Sequence, residues 1–165
     1  MKRTTPILAR WTGAALAVCV AAGALAGCTP TVALEPAADA VNPACAAVIV
    51  ALRNYDTLAD LPARETNAQA TAAWGSPAGI ILRCGVPVPA PTATLPCFTV
   101  DGIDWLRDDS NDPNFVFTTY GRDPAVEVII DDSAASALDA LTELARPVSA
   151  IPATGECISP TDTRE

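Results

Sequence analysis

Nineteen carboxylates, six cysteines and no histidine bound the chemistry open to this chain of 165 residues. The missing imidazole removes Ser-His-Asp and Cys-His relays, HExxH zinc sites and any imidazole pH switch. Acid/base work would fall to carboxylates, and Asp101, Asp104, Asp131 and Asp132 are candidates by type. Asp101 is better explained by a turn and Asp132 by a helix cap, and a glycosidase-like reaction needs a separated pair in contrasting environments. The run Asp108-Asp109-Ser110-Asn111-Asp112 gathers hard oxygen ligands. Yet Pro113 stands where an EF-hand loop needs glycine, and Thr119 where it needs its bidentate glutamate. A solvated loop is the better reading; neither a metal nor a cofactor is expected. No G-x-S-x-G elbow, Walker A or GxGxxG pattern occurs, so the expectation is a protein without enzymatic activity.

One cysteine has a specific chemistry. Lys2, Arg3 and Arg10 precede an uncharged alanine-rich run, residues 11–26, which ends in Leu25-Ala26-Gly27-Cys28. A basic segment followed by a short apolar one is the pattern of an export signal. Its apolar run of sixteen residues reaches about 24 Å as a helix, short of the roughly 30 Å hydrocarbon core, so a permanent span is the weaker reading. The closing tetrad resembles the bacterial lipobox. In that reading residues 1–27 are a lipoprotein signal peptide, Cys28 becomes the new N-terminus, and its thiol takes a diacylglycerol (the acylated, palmitate-bearing end). Two acyl chains anchor stably where one is marginal. The chain is then expected on the cell membrane, lipid-anchored on the extracytoplasmic side.

All nineteen acids lie beyond that cut, with seven of the ten basic residues, every one an arginine, which leaves a formal charge of −12. Such a balance repels nucleic acid and anionic headgroups, both of which require basic patches. No nucleic-acid partner is expected; the membrane partner is reached through the lipid on Cys28. In an exported chain the remaining Cys45, Cys84, Cys97 and Cys157 read as two disulfides, and none forms a CxxC pair. Four cysteines allow three pairings.

The elements that would position these groups follow from pattern and punctuation. Residues 28–42 carry Pro30 and Pro36 without periodicity and read as a tether. Asn42-Pro43 opens a helix over 43–53. Prolines 62 and 77 make 54–78 read mainly as loop, with 70–74 as an extended piece. Residues 79–86 form a strand with Ile80, Leu82 and Cys84 on one face, and the proline-rich 87–96 is a surface connection. Asp101-Gly102 between two apolar pieces predicts a type I′ hairpin. Strands follow over 114–121 and 125–131, then a helix capped by Asp132 or Ser133, with Leu138, Leu141 and Ala145 on one stripe and Pro147 at its end. The expected fold is α+β: a two-layer sandwich of a four- or five-stranded, mainly antiparallel sheet with two helices, forming one domain over 43–158 with a disordered tail, 159–165. The first helix precedes the strand bearing Cys84, and the tail bearing Cys157 follows the last helix. That order favours Cys45–Cys84 with Cys97–Cys157 as the shorter closures.

The segments TAAWGSPAGIILRCGV, CFTVDGIDW and TTYGRDPAVEV, in this order, resemble an actinobacterial family of secreted lipoproteins catalogued as a domain of unknown function, DUF3515. Trp74-Gly75, Arg83-Cys84-Gly85, Asp104-Trp105 and Tyr120-Gly121-Arg122 carry the likeness, which spans about residues 36–160. The resemblance implies export and the cysteine framework, and no activity. With aromatics only 5% of the chain, Trp74, Trp105 and Tyr120 beside Arg83 and Arg122 form a candidate binding face, set against core packing and turn anchoring as the plainer roles for the same residues. The leading expectation is a non-catalytic interaction module of the cell envelope, meeting an envelope protein or ligand. A small-molecule or lipid carrier with an apolar cavity is second, and a carboxylate-dependent hydrolase third.

Overall fold

The computed structural model describes residues 29–91 and 94–157. The expected signal peptide, Cys28 and the tail 159–165 lie outside the described residues. Helix α1 (Pro43–Ala51) starts where Asn42 Oδ1 accepts the Ala44 amide at 3.0 Å and Pro43 fills the first turn. It sends Cys45 and Val48 inward, and Leu52 follows in a 3-10 turn (Leu52–Asn54). Eight strands succeed it: β1 (Thr57–Leu58), β2 (Leu61–Arg64), β3 (Thr71–Trp74), β4 (Ile80–Val86), β5 (Cys97–Val100), β6 (Ile103–Asp108), β7 (Asn114–Thr119) and β8 (Ala125–Asp131). Helix α2 (Ala137–Val148) closes the order.

All eight strands join one sheet in the order β1-β2-β3-β4-β8-β7-β6-β5, and every neighbour pair is antiparallel. Two meanders of four strands therefore meet at β4 and β8. Their register sets Ile80 against Ile130, Leu82 against Val128 and Cys84 against Val126. Because side chains alternate along a strand, these pairs share one face, and that face is the one bridged to α1 by Cys45–Cys84. The helices touch each other, α1 also meets β4, and α2 also meets β5. Trp74, Trp105, Phe117, Leu141, Leu144 and Val148 complete the core between the layers.

The expected sheet of four or five strands is corrected to eight. The difference lies in 54–78, read mainly as loop: the extended piece expected over 70–74 is β3, and β1 and β2 lie in the stretch read as loop before it. β1 has two residues, too few to show a period, and β2 contains Pro62, whose carbonyl accepts the Gly75 amide at 2.8 Å although its nitrogen cannot donate. The second helix is also shifted: Ser136, not Asp132 or Ser133, accepts the Asp139 amide, and Leu138 points outward at 64% exposure. Pro147 lies in the last helical turn without ending it. At the hairpin, Asp101 and Gly102 take φ of 46° and 78°, the two positive angles of the I′ turn.

The stretch expected to act as a tether is docked on the domain from Pro30 onward. Arg64 Nη2 donates to Pro30 O at 2.6 Å while its Nη1 donates to Gly75 O at 2.6 Å. Val32 bridges Thr66 in parallel, its amide donating to Glu65 O at 2.8 Å, and the Leu34 amide reaches Asn67 Oδ1 at 2.6 Å. Farther along, Asp39 donates to Gly85 O at 3.0 Å. Gly85 has φ +94° at a bulge in β4, and any Cβ there would collide with the Asp39 backbone. Among the described residues no helix is long and apolar enough to cross a membrane.

Cys45 is joined to Cys84 and Cys97 to Cys157, with Cα separations of 5.5 and 5.7 Å. The first staples α1 to the central strand across 39 residues of chain, a constraint of about 4 kcal/mol on the unfolded ensemble in the chain-entropy account. Replacing both Cys45 and Cys84 by serine is expected to lower the unfolding free energy by about 2–5 kcal/mol, read from the guanidinium midpoint of chemical denaturation.

Candidate functional site

The structure separates the five residues expected to share a binding face. Trp74 is buried in the core with Nε1 donating to Tyr55 O at 3.1 Å. Trp105 is fully buried on the helix side of β6. Arg83 points to the other side of the sheet and grips Glu127 Oε1 through Nε at 2.8 Å and Nη2 at 2.6 Å. Tyr120, half-buried after β7, gives its amide to Asp104 O at 2.8 Å. Arg122 is buried and donates to Ile151 O and, at 3.3 Å, to Gly102 O, so it ties the segment after α2 to the β5–β6 turn. Burial pushes its guanidinium below the ordinary arginine value, and the Asp104 charge opposes that shift.

Asp104 serves the same junction. Its Oδ1 accepts the Thr99 hydroxyl at 2.6 Å and its Oδ2 the Cys157 amide at 2.7 Å. Gly121 makes this possible, because a side chain there would collide with the Gly155 backbone. A recess of about 590 Å³ lies here, walled by Thr99, Gly102, Asp104 and residues 153–157. Both carboxylate oxygens are engaged, Oδ1 by β5 and Oδ2 by the tail, so the recess is a seam between tail and sheet rather than a place with free chemistry. Asp131 likewise spends Oδ1 on the Ser133 amide and hydroxyl, at 2.9 and 2.5 Å.

A different group is brought together on the helix side of β5, β6 and β7. The two-residue hairpin turn sets Phe98 opposite Trp105; Arg107 stands two residues on and faces Phe117, and Phe115 lies two residues before Phe117. All therefore share one face. Helix α2 buries Trp105 and Phe117 but begins only at Ala137, so Phe98 and Phe115 stay half-exposed. The result is a groove of about 350 Å³, floored by Phe98, Phe115 and Phe117 and rimmed by Leu138, Arg107 and Asp132. Phe98 meets Phe117 edge to face, with centroids 6.1 Å apart and planes at 86°.

Arg107 gives the groove its polarity. Its Cζ lies 4.6 Å from the Phe115 ring centroid, a cation–π contact, and Nη2 stands 3.5 Å from Asp109 Oδ2. Its Nε is buried without a hydrogen-bond partner. An arginine on the core-facing side of a strand, unsatisfied at one nitrogen and stacked on an aromatic ring, is a group prepared for an acceptor. Phe98, Arg107, Phe115 and Leu138 are not among the residues the sequence marks for a binding face. The signal was present in the hairpin: once Asp101-Gly102 fixes register, Phe98, Trp105 and Arg107 must share a face, and Arg107 is the charge where the pattern demands an apolar residue.

The acidic loop is explained locally. Asp108 Oδ1 accepts the Ser110 amide at 2.9 Å, and hydrogen bonds from Ser110 hold this exposed carboxyl below its ordinary value of 3.8. No group of three acidic or cysteine side chains that could hold a metal occurs among the described residues.

Phe117→Ala, at a buried site, is expected to cost about 3–5 kcal/mol of stability, and Phe115→Ala distinctly less because that ring is already half in water. Thermal unfolding of the two variants checks the order. For Asp108, whose folded pKa is depressed, the stabilising contribution is present above the ordinary carboxylate range and vanishes as pH falls through the lowered pKa. A carboxyl-carbon NMR titration is expected to place its midpoint below 3.8, and Ser110→Ala is expected to leave the part of the shift that comes from the backbone amide.

Comparison with curated proteins and with solved structures finds no match for this chain. Residues 9–155 match the family model described as Protein of unknown function (DUF3515), and with most of its length covered the chain belongs to that family.

Proposed function

We propose that this protein is a lipid-anchored, extracytoplasmic domain of the cell envelope that acts without catalysis, by presenting the groove of Phe98, Phe115 and Arg107 to an envelope partner. The observation that carries the reading is the groove itself: aromatic, open on one side, and bearing at its rim the partly exposed guanidinium of Arg107 stacked on Phe115. Trp, Tyr, Phe and Arg are the types that concentrate binding energy at interfaces, and an open aromatic patch beside a packed core suits an interaction module. The export signal and the Cys28 motif support the location. A matching partner supplies an apolar side chain for the floor and a carbonyl or carboxylate for Arg107. The carrier reading draws on the same feature, since about 350 Å³ is within the range of small-ligand sites.

Cys28→Ser is expected to remove acyl labelling and shift the protein out of the membrane fraction; unchanged fractionation would retire the anchor. For the groove, in-cell crosslinking should compare wild type with Arg107→Ala and Leu138→Asp, two rim changes that leave the buried core intact. Both variants are expected to weaken partner capture roughly tenfold or more, as loss of an interface hot spot does. Full capture by both would remove the groove from the account, and saturable uptake of a fluorescent fatty acid abolished by the same changes would favour the carrier.

A further inference from the structure

We infer that the open edge of β5 is a docking line for an extended segment of a partner protein, which pairs with it as a further strand and sets alternate side chains into the two recesses that flank it. The inference rests on the groove reading above and names the form of the partner. Strand β5 ends the strand order, with β6 on one side and, among the described residues, no strand on the other. The Asp101-Gly102 turn pairs Val100 with Ile103 and Phe98 with Trp105, and the Arg107 amide donates to Pro96 O at 3.0 Å. In an antiparallel ladder alternate residues turn their backbone groups toward the partner strand. Pro96, Phe98 and Val100 therefore face β6, while Cys97 and Thr99 turn N–H and C=O outward. None of these four outward groups is paired with another described residue.

Sheet edges are ordinarily closed by brevity or by charge. The opposite edge has both, since β1 is two residues long and stands between the exposed Asp56 and Asp60. Strand β5 has four residues, Cys-Phe-Thr-Val, without a charge. Each of its faces borders a recess: Phe98 and Val100 line the aromatic groove of about 350 Å³ on the helix side, and Thr99 lines the tail recess of about 590 Å³ on the other. Side chains of an added strand alternate in the same way, because they continue the pleat about 4.8 Å beyond β5. A residue beside Phe98 meets aromatic rings and Leu138, which suits an apolar side chain. A residue beside Thr99 meets a wall carrying Asp104 and Glu156, which suits lysine or a hydroxyl. The segment that fits is thus extended and alternates basic or hydroxyl residues with apolar ones. A second copy of this chain fits less well, since β5 brings no base to the recess and a formal charge of −9 repels its like.

The test is an NMR titration of the isotope-labelled full chain with the peptide acetyl-Lys-Val-Lys-Phe-Lys-amide, against a control of the same composition with its lysines grouped together. The alternating peptide is expected to shift the Cys97 and Thr99 amide signals and to slow their hydrogen exchange several-fold, and the control to do neither. Thr99→Pro removes an outward N–H and spares the bonds to β6, which come from residues 98 and 100; it is expected to weaken binding roughly tenfold or more. Thr99→Val, which keeps the N–H, should bind as the wild type does. Should the proline variant not fold, exchange at positions 97 and 99 of the wild type still decides, because no slowing there overturns the inference. Shifts confined to Phe115 and Leu138 overturn it and leave the groove standing. No response anywhere also overturns it; the groove itself is judged by the crosslinking of Arg107→Ala and Leu138→Asp. Binding that appears only after truncation beyond Cys157 gives the edge to the chain's own tail, and outward amides protected in proportion to protein concentration give it to a second copy; either result overturns the inference.

Discussion

The pairing of β4 with β8 is the constraint on which the molecule depends. Among the described residues it is the one strand pairing that joins the two meanders, and it sets residues 80–86 against residues 125–130, far apart in the chain. Each meander alone is a strip of short strands with one apolar face, and a strip of that kind cannot enclose a core. Joined, they present Ile80, Leu82, Val126, Val128 and Ile130 as a continuous buried stripe, against which both helices pack. The bulge at Gly85 belongs to the same junction: it shifts the register between Cys84 and Val86 and opens room for the backbone at Asp39.

From that junction the two ends of the chain are secured by similar means. At the amino end an arginine, Arg64, bridges two carbonyls and a glycine, Gly85, admits a close backbone crossing. At the carboxyl end Arg122 bridges the Ile151 and Gly102 carbonyls, and Gly121 admits Gly155. A guanidinium suits this work because its donors fan out in one plane and stay charged even when burial disfavours the charge. A disulfide stands near each strap, Cys45–Cys84 at the first and Cys97–Cys157 at the second. The second bridge ties the tail to the edge strand β5, while the first holds α1 to the central β4.

The groove arises from a mismatch between layers. Eight strands are wider than two helices, and α2 begins too late along its side of the sheet to cover Phe98 and Phe115. A domain with no use for the uncovered strip would fill it with polar residues; here the strip is aromatic and Arg107 stacks on it. The same face thus shifts from core, at Trp105 and Phe117, to a partly open aromatic groove, two residues away along the same strands.

Features governed by neighbouring residues were legible in the sequence. The Asn42-Pro43 helix start, the Asp101-Gly102 turn, and the alternation of Ile80, Leu82 and Cys84 each follow from local backbone chemistry or side-chain period. Membership of the family was legible too, in motifs that the fold uses as Trp74 in the core and Arg122 in the tail strap. What tertiary structure alone decided was everything requiring partners distant in the chain: that 57–74 pairs into three strands, that Trp105 faces inward while Phe115 is left partly exposed, and that Arg122 is buried against backbone carbonyls while Arg107 stacks on Phe115 at a partly open groove. Residue type states what a side chain can offer. Which offer remains open depends on which other groups the folded chain has already brought within reach.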